Sequence, residues 1–440
     1  MSRREVLKGA AWVGAGVVLS PAVVACNSSP GKGPTIRTTG LAVSAVARDV
    51  GEPASRPAAV RAVQGFTGDL FNRLTSRPGN LVCSPYSVAL ALAMTRNGAR
   101  AQTAQELDRV LRAPALDQLN SGLNSLTQLV AGRAGTQIRA DGSKATISLD
   151  VASSLWGQRD TRWQQPFLDV LASNYGAGIH LMDYKRDPET SRSMINGWTS
   201  GQTHGKIPDL IPVGVLNPMT RLVLVNAIYL KAPWEEPFDK LATSRQPFTR
   251  ADGSGVEVKM MSNQLRLGDF ASGPGWRAGW LRYAGGKLGM AVVVPDPGQT
   301  QRVQDLLRGA GLGQLLGGFK PAAALRLEMP RWRFRVQTQL NEQLAALGMV
   351  SAFDPGKADF SGMTTQERLF ISHVLHEAVI AVDEAGTEAA AAAAVVLGVT
   401  SVRGPSVVVR ADRPFFFIIH DIDTATPLFI GRVSDPTASS

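Results

Sequence analysis

The stretch HEAVIAVDEAGTEAAAAAAVVLGVTS, residues 376–401, decides how the fold of this chain is interpreted. It begins with an apolar run typical of a strand and continues into six consecutive alanines, Ala389–Ala394. Alanine has the highest intrinsic helix propensity, so the run alone predicts a helix. The flanking residues DEAG and TSVRGPS are typical of loops, however, and no amphipathic stripe gives such a helix a face to bury. We therefore expect a segment that changes its secondary structure.

The composition around this stretch is that of a globular protein with a basic surface. The 440 residues are 44% hydrophobic and carry a formal net charge of +10. The basic residues are scattered, without a polybasic run or interleaved aromatic residues, so we expect no nucleic-acid partner. No linker-like segment interrupts residues 59–436, which predicts one large domain followed by a short tail, residues 437–440.

The first residues have the pattern of a bacterial export signal. A twin arginine, Arg3-Arg4, precedes an apolar run, which predicts a signal peptide over residues 1–25. The residues before Cys26 resemble a lipobox, which predicts lipidation of Cys26; the alternative is an ordinary cleaved signal with an incidental cysteine. Residues 26–58 are rich in Gly, Pro, Ser and Thr and predict a flexible tether. The expected location is the outer face of the bacterial membrane, or alternatively the medium after secretion.

The remaining cysteine and the order of the elements bear on the fold. With Cys26 committed to a lipid, Cys83 has no partner for an intrachain disulfide, and we expect it to be a small buried hydrophobic residue.

Helical patterns dominate the first part of the domain, for example the apolar segment that follows the Ser84-Pro85 cap signal. Strand-like runs follow without regular alternation with helices, which favours an α+β fold over a doubly wound sheet.

No motif indicates an enzyme. The sequence contains no G-x-S-x-G elbow, P-loop, dinucleotide-binding glycine pattern or Cys-x-x-Cys. His376 lacks the second histidine that a zinc-binding helix needs four residues later, and His373 lies in the same strand-like run, where the two side chains would point to opposite faces. We therefore expect no catalytic residue, metal or cofactor.

Several motifs occur in the order found in serpins, and the resemblance covers essentially all of residues 59–436. They are NLVCSPYSVALALAMTRNGARAQTAQEL, INGWTSGQTHGKIPDLI, LVNAIYLKAPWEEPF, VKMM, ADFSGM, HEAVIAVDEAGTEAAAAAA and DRPFFFIIHDIDTATPLFIGRVSDP. The resemblance implies an α+β fold with three β-sheets, about nine helices and an exposed reactive-centre loop, here residues 384–404. In inhibitory serpins a serine protease cleaves this loop, is trapped as an acyl-enzyme, and is displaced when the loop inserts into the largest sheet.

The alanine run satisfies the requirements of an inserted strand. Side chains alternate between the faces of a strand, so Thr387, Ala389 and Ala391 would face the core, while Glu388 and Ala390 would lie on the other face. By resemblance, Glu384 is the acidic residue at the start of the loop, Gly386 allows the chain to pivot, and Thr387 enters the sheet first. The expected hinge comprises Glu384, Gly386, Thr387, Glu388, Ala389, Ala390 and Ala391.

The position of the scissile bond depends on how the loop is counted. The usual family length, counted from Glu384, gives Thr400-Ser401, which would suit an elastase-like or subtilisin-like protease. Counting backwards from Pro414 gives Arg403-Gly404, which would suit a trypsin-like protease. A bond at a neighbouring residue is the third alternative.

Five further residues match switch positions of the family. Ser84, Ser87, Asn226 and His376 correspond to the polar cluster beneath the point where the sheet parts, and such a cluster can hold the sheet shut. Without the resemblance they would be interpreted as a helix cap and a hydrogen-bonded core histidine. Trp234 corresponds to the tryptophan near the place where the loop enters the sheet, and would otherwise be interpreted as a core aromatic.

The resemblance therefore predicts an irreversible inhibitor that forms a covalent complex with a serine protease. We expect a monomer, and the segment matching the heparin-binding helix of the family is too poor in basic residues to support polyanion binding. The main alternative is a non-inhibitory serpin that acts as a binding or scaffold lipoprotein. The third class, a lipoprotein with enzymatic or ligand-binding activity, has no motif in its favour.

Overall fold

The structure is a computed structural model that describes residues 40–266, 268–322, 324–388 and 407–438. The α-helices of these residues are α1 Arg56–Leu74, α2 Pro85–Arg96, α3 Ala101–Leu111, α4 Leu116–Ala131, α5 Gln165–Val170, α6 Pro188–Gln202, α7 Thr300–Leu306, α8 Gly311–Gly317 and α9 Asn341–Ala346. A π-helical turn, Leu171–Tyr175, extends α5. Short 3-10 helices lie at Pro53–Ser55, Lys240–Ala242 and Ser351–Phe353.

The strands of the same residues form three sheets. They are β1 Gly40–Ala42, β2 Leu81–Cys83, β3 Gly135–Ile138, β4 Lys144–Gln158, β5 Ile179–Met182, β6 Leu222–Pro233, β7 Ser244–Thr249, β8 Gly255–Leu265, β9 Asp269–Gly273, β10 Trp276–Arg282, β11 Leu288–Pro295, β12 Lys320–Pro321, β13 Leu325–Pro330, β14 Trp332–Gln339, β15 Ile371–Val382, β16 Gly386–Thr387, β17 Val407–Arg410, β18 Phe415–Asp421 and β19 Thr426–Val433.

Each sheet combines strands that are distant in sequence. Sheet A has the order β1-β5-β4-β6-β16-β15-β14, and β3 pairs with β4. Sheet B has the order β12-β9-β10-β11-β18-β19-β2, and sheet C the order β17-β13-β8-β7. The predicted α+β fold with three sheets is thereby confirmed, and the described residues contain nine α-helices.

The main core lies where sheet B and the helices α1 and α2 meet. Helix α2 is apolar nearly all round, and its residues from Pro85 to Thr95 are buried. Strand β18 contributes the consecutive residues Phe415, Phe416 and Phe417, each of which is fully buried. A strand buried on both faces loses the usual alternation of polar and apolar residues. Cys83 on β2 is a buried free thiol, as expected from the sequence.

The segment before the first helix is part of the folded body. Residues Gly40–Ala42 pair with β5 at the edge of sheet A. The Arg48 guanidinium donates to Asn124 Oδ1 at 3.0 Å, and the Asp49 N–H donates to the Ser173 carbonyl at 2.8 Å. The prediction of a tether that extends to residue 58 is therefore wrong for residues 40–58. Backbone pairing to an open sheet edge tolerates a polar, glycine-rich sequence, so composition alone does not reveal it.

Within the residues that the structure describes, no helix combines the length and the apolar character needed to cross a membrane.

Candidate functional site

The candidate site is the end of sheet A where β6 and β15 separate. The two strands pair directly, in parallel, over Leu222–Ile228 and Ile371–Ala378. Beyond this segment β16 lies between them: Thr387 is paired with Ala232 of β6 and with Val382 of β15. The start of the predicted loop is thus already a short central strand, and Glu384 and Thr387 are buried.

Glycine is required at position 386. Gly386 pairs with Pro233 and has a φ of +154°. A Cβ atom at this position would lie 2.2 Å from the Ala232 carbonyl oxygen, a distance that no real side chain can adopt. Because glycine has no side chain, the backbone can approach β6 this closely, and the chain can leave β15, turn and enter the gap beside β6.

Thr387 is anchored by aromatic residues beneath the sheet. Its side chain is buried, and its Oγ1 lies 2.7 Å from the hydroxyl of Tyr283. The Tyr283 ring stacks on Trp234, with centroids 4.5 Å apart, and the Trp234 Nε1–H donates to the Asp383 carbonyl at 3.0 Å. Burial raises the pKa of Tyr283, so its hydroxyl keeps its proton for this contact. Trp234 and Tyr283 therefore hold both ends of the turn that leads into β16.

Glu384 is fixed by charge-assisted hydrogen bonds. Its carboxylate accepts from Thr243 Oγ1 at 2.6 Å and from Arg331 Nε at 2.7 Å, and Arg331 Nη2 also contacts it. Burial acts to raise the pKa of Glu384, but the hydrogen bonds from Thr243 and Arg331 outweigh burial and lower it. The carboxylate is consequently ionised at neutral pH and anchors the hinge to sheet C.

Glu388 places a second charge at the other end of the hinge. Only 4% of its side chain is exposed, and its Oε2 lies 3.3 Å from Lys206 Nζ, without the alignment of a hydrogen bond. Its φ of +49° lies in the left-handed region, which is unfavourable for a residue with a side chain. The described part of the hinge therefore ends in a residue with a strained backbone, whose buried carboxylate pairs with a partly exposed ammonium group.

The polar cluster predicted from the sequence lies where β6 and β15 are still paired. The Ser84 N–H donates to His376 Nε2 at 3.0 Å, and Ser84 Oγ caps α2 by accepting from the Ser87 N–H at 3.3 Å. The imidazole accepts this bond only when Nε2 carries no proton, and burial lowers the pKa of His376 to about 4. His376 is therefore neutral above mildly acidic pH and ties α2 to β15.

Asn226 faces His376 across the β6–β15 pairing. It is fully buried, and neither polar atom of its side-chain amide has a hydrogen-bond partner among the described residues. The Ser153 hydroxyl on β4, opposite Asn226, donates to the Ser87 carbonyl at 2.9 Å. Ser84, Ser87, Asn226 and His376 thus form one buried group that spans α2, β6 and β15.

The chain that carries this hinge and polar cluster is similar to known proteins over most of its length. A family model described as Serpin (serine protease inhibitor) matches residues 61–436. The chain belongs to the serpin family. Rattus norvegicus leukocyte elastase inhibitor A is 34% identical over 380 residues, which cover 84% of this chain and 97% of the relative. An uncharacterized serpin-like protein of Thermococcus kodakarensis is 33% identical over 381 residues, which cover 86% of this chain and 85% of the relative.

A solved serpin has the same fold. The crystal structure of tengpin, a thermophilic serpin in the native state, superposes with a TM-score of 0.76 at 27% identity. The match covers 90% of this chain and 97% of tengpin. As a serpin, the chain belongs to a family of protease inhibitors rather than of enzymes.

Some predicted site residues lie outside the described residues. These are Cys26, the hinge residues Ala389, Ala390 and Ala391, and the alternative reactive bonds Thr400-Ser401 and Arg403-Gly404. Their assignments remain predictions from the sequence.

Sequence reasoning did not identify four residues of this serpin that hold the hinge. Tyr283, Arg331, Thr243 and Lys206 contact hinge residues that are between 53 and 182 positions away in sequence. Each comes from a different strand or loop, and no local spacing relates it to the hinge. Lys206 lies in the family motif INGWTSGQTHGKIPDLI and Arg331 in PRWRF, but neither motif indicates a contact with the hinge.

Proposed function

We propose that this serpin inhibits a serine protease irreversibly, by cleavage of the loop, trapping of the acyl-enzyme and insertion of the loop as a strand of sheet A. The observation that carries the proposal is the position of Gly386–Thr387 between β6 and β15. The first residue pairs of the new strand are already formed. After Glu388 the sequence continues with six alanines, whose side chains are small. Insertion can then continue by separating β6 from β15 without a bulky side chain in the way.

The chemistry of the trap requires only the protease and one peptide bond. The protease serine Oγ attacks the carbonyl carbon of Thr400, the amine of Ser401 leaves with a proton, and Thr400 remains as an ester on the protease. Insertion of the segment after Thr387 would carry this ester away from its starting position before water hydrolyses it. The force would come from strand addition to an opened sheet.

The proposed target is a protease with a small apolar specificity pocket, of the elastase or subtilisin type. Thr400 is small, and Leu397 and Val399 precede it. Several relatives that are 32–34% identical to this chain are named leukocyte elastase inhibitors, which supports the same class of target. Cleavage at Arg403 would instead indicate a trypsin-like target.

The test is to incubate the full chain with an elastase and with subtilisin and to look for a complex that survives SDS. We expect a covalent band and a released C-terminal peptide whose mass identifies the reactive bond. The control variant is Thr387→Arg, because Thr387 is only 2% exposed and an arginine cannot occupy its buried place in the sheet. This variant should be cleaved at the same bond without a stable band. Cleavage of the wild-type chain without a band would refute the proposal.

We also propose that the chain is exported and attached to the membrane through a lipid on Cys26. Support comes from the twin arginine and from the small residues before Cys26. In a bacterial host the wild-type chain should partition into a detergent phase and incorporate labelled fatty acid. The variant Cys26→Ser should do neither, and equal partitioning of both chains would contradict lipidation.

A further inference from the structure

A cleft of about 310 Å³ lies beside the hinge, between sheet C and the end of the described chain. Its basic wall consists of Arg245, Lys259 and Arg331, and Glu257 is the acidic residue among those that line it. Buried Val258 and Pro436 supply apolar surface. A water molecule takes up roughly 30 Å³ of liquid, so the cleft has room for an anion of several heavy atoms together with its hydration.

Two of the three cations in this cleft, Arg245 and Lys259, have no acidic partner among the described residues. Arg245 and Lys259 are directly opposite each other in the antiparallel pairing of β7 with β8. Like charges in this position destabilise a sheet. Both side chains are exposed, and no carboxylate of the described residues lies within 4.0 Å of either cation, Glu257 included. The arrangement thus leaves two neighbouring cations available to a ligand.

The third cation connects the cleft to the hinge. The Arg331 N–H donates to the Lys259 carbonyl at 3.0 Å, which fixes Arg331 next to the opposed pair. Its guanidinium holds Glu384 through Nε, while 35% of the side chain remains exposed. One guanidinium carries five N–H donors, so Arg331 has donors left for a second anion. The cleft and the hinge therefore share a cation.

We propose that this cleft binds a small phosphate-type or sulfate-type oxyanion, held by Arg245, Lys259 and Arg331. A doubly charged oxyanion relieves the repulsion between the two opposed cations, and planar guanidinium groups match its oxygen geometry. Arg331 has donors for both anions, but the ligand and the Glu384 carboxylate repel each other across the one guanidinium, so each weakens the binding of the other. Anion binding and anchoring of the hinge are in this way coupled through one residue.

The first experiment measures binding to the full chain in the absence of any protease. Inorganic phosphate, pyrophosphate and sulfate are titrated at constant ionic strength against chloride, by calorimetry and by thermal unfolding. We expect saturable binding and a rise in Tm that follows the ligand concentration. The double variant Arg245→Ala/Lys259→Ala should bind at least about tenfold more weakly, since it removes two of three cationic contacts. Comparison of the three anions separates a phosphate site from a general oxyanion site.

A matched control removes two cations elsewhere. Arg186 and Arg302 are exposed and form no ion pair with a described carboxylate, so Arg186→Ala/Arg302→Ala changes the net charge equally. This control should bind the anion as the wild-type chain does. Equal weakening in both double variants, or no saturable binding to the wild-type chain, would overturn the proposal.

A second variant tests the coupling to the hinge. Glu384→Gln removes the competing negative charge but keeps the side-chain shape and an oxygen that accepts from Thr243 and Arg331. The variant should bind the anion several-fold more tightly than the wild-type chain. Unchanged affinity would refute the coupling and leave the site itself in place. Neither measurement involves protease trapping, so their failure is distinguishable from failure of the proposed inhibitory function.

Discussion

Glu388 shows at the scale of one residue why the hinge is held rather than free. Its carboxylate is almost fully withdrawn from water and faces a single ammonium group, that of Lys206, in the segment after α6. Its N–H donates to the Ala381 carbonyl at 2.8 Å, and its backbone is in the left-handed region. A buried charge that loses its partner is strongly destabilising. Lys206 is consequently one of the residues that hold β16 in the gap between β6 and β15.

Replacement of this cation should release the hinge. In Lys206→Met the Glu388 carboxylate has lost its cationic partner, and hydration is the most favourable replacement for that interaction. Because the carboxylate reaches water only if the chain moves, its hydration withdraws β16 from the gap between β6 and β15. We expect amide hydrogen exchange over residues 381–388 to accelerate by about tenfold or more. The matched control is Lys185→Met: Lys185 is equally exposed, at 37% against 38%, and pairs with Asp160 on the surface. Equal exchange in the two variants would show that the Lys206 contact does not hold the hinge.

At the scale of elements, insertion depends on the pairing of β6 with β15. A strand that follows Thr387 into sheet A must separate Leu222–Ile228 from Ile371–Ala378. The pair of Asn226 and His376 lies within this segment, and the bond from Ser84 to His376 attaches the start of α2 to it. Opening the sheet therefore disturbs α2 as well as two strands. In the proposed mechanism the polar cluster is a barrier to insertion of the loop.

Lowering the pH should destabilise the folded chain through His376. Its pKa in the folded chain is about 4, against about 6.5 in the unfolded chain, so only the unfolded chain gains a proton as the pH falls through this window. The contribution of His376 to stability is complete above pH 6.5 and is lost towards pH 4, by about 2 kcal/mol at pH 5. Burial also lowers the pKa of His420 to about 4, so its contribution to stability is likewise lost as the pH falls. Glu377 acts oppositely: burial raises its pKa to about 7, and its contribution is lost as the pH rises through 7.

The variant His376→Gln isolates one of these contributions. A glutamine oxygen can still accept from the Ser84 N–H, but the side chain does not titrate. Thermal unfolding between pH 7 and pH 5 should therefore show a smaller loss of stability than in the wild-type chain. His204→Gln is the control, since 57% of the His204 side chain is exposed in its pair with Asp150. An unchanged pH slope in His376→Gln would contradict the assigned role.

The elements also show how far sequence alone can go. Ser84 is recognisable because a cap and a following proline are local signals, and the family motifs locate His376 and Trp234. Tyr283 and Lys206 are not recognisable, because their contacts with Thr387 and Glu388 arise only when distant segments meet. Strand β16 is missed for a related reason: whether two residues stay in a loop or enter a sheet depends on the gap between β6 and β15. Local propensity contains no information about that gap.

For the whole molecule, the main feature of sheet A is that β6 and β15 are paired directly at one end and separated by β16 at the other. The strands β6 and β15 are hydrogen-bonded to each other over one part of their length and to β16 over the next. A longer central strand would lie between them along their whole length and would add backbone hydrogen bonds on both of its sides. In the proposed mechanism the same chain completes this sheet. Cleavage of the loop would supply the free strand end that completion requires.

Loop cleavage should raise the thermal stability of the wild-type chain. An inserted strand of about ten residues would add about ten net hydrogen bonds at about 1 kcal/mol each, which corresponds to a rise in Tm of more than about 10 °C. The control is Thr387→Arg cleaved at the same bond by the same protease. Its arginine would have to occupy the buried position beside Tyr283, so insertion should stop at its first residue and the Tm should stay near that of the uncleaved chain. An equal rise in both cleaved chains would mean that the loop does not enter sheet A through the gap at Thr387.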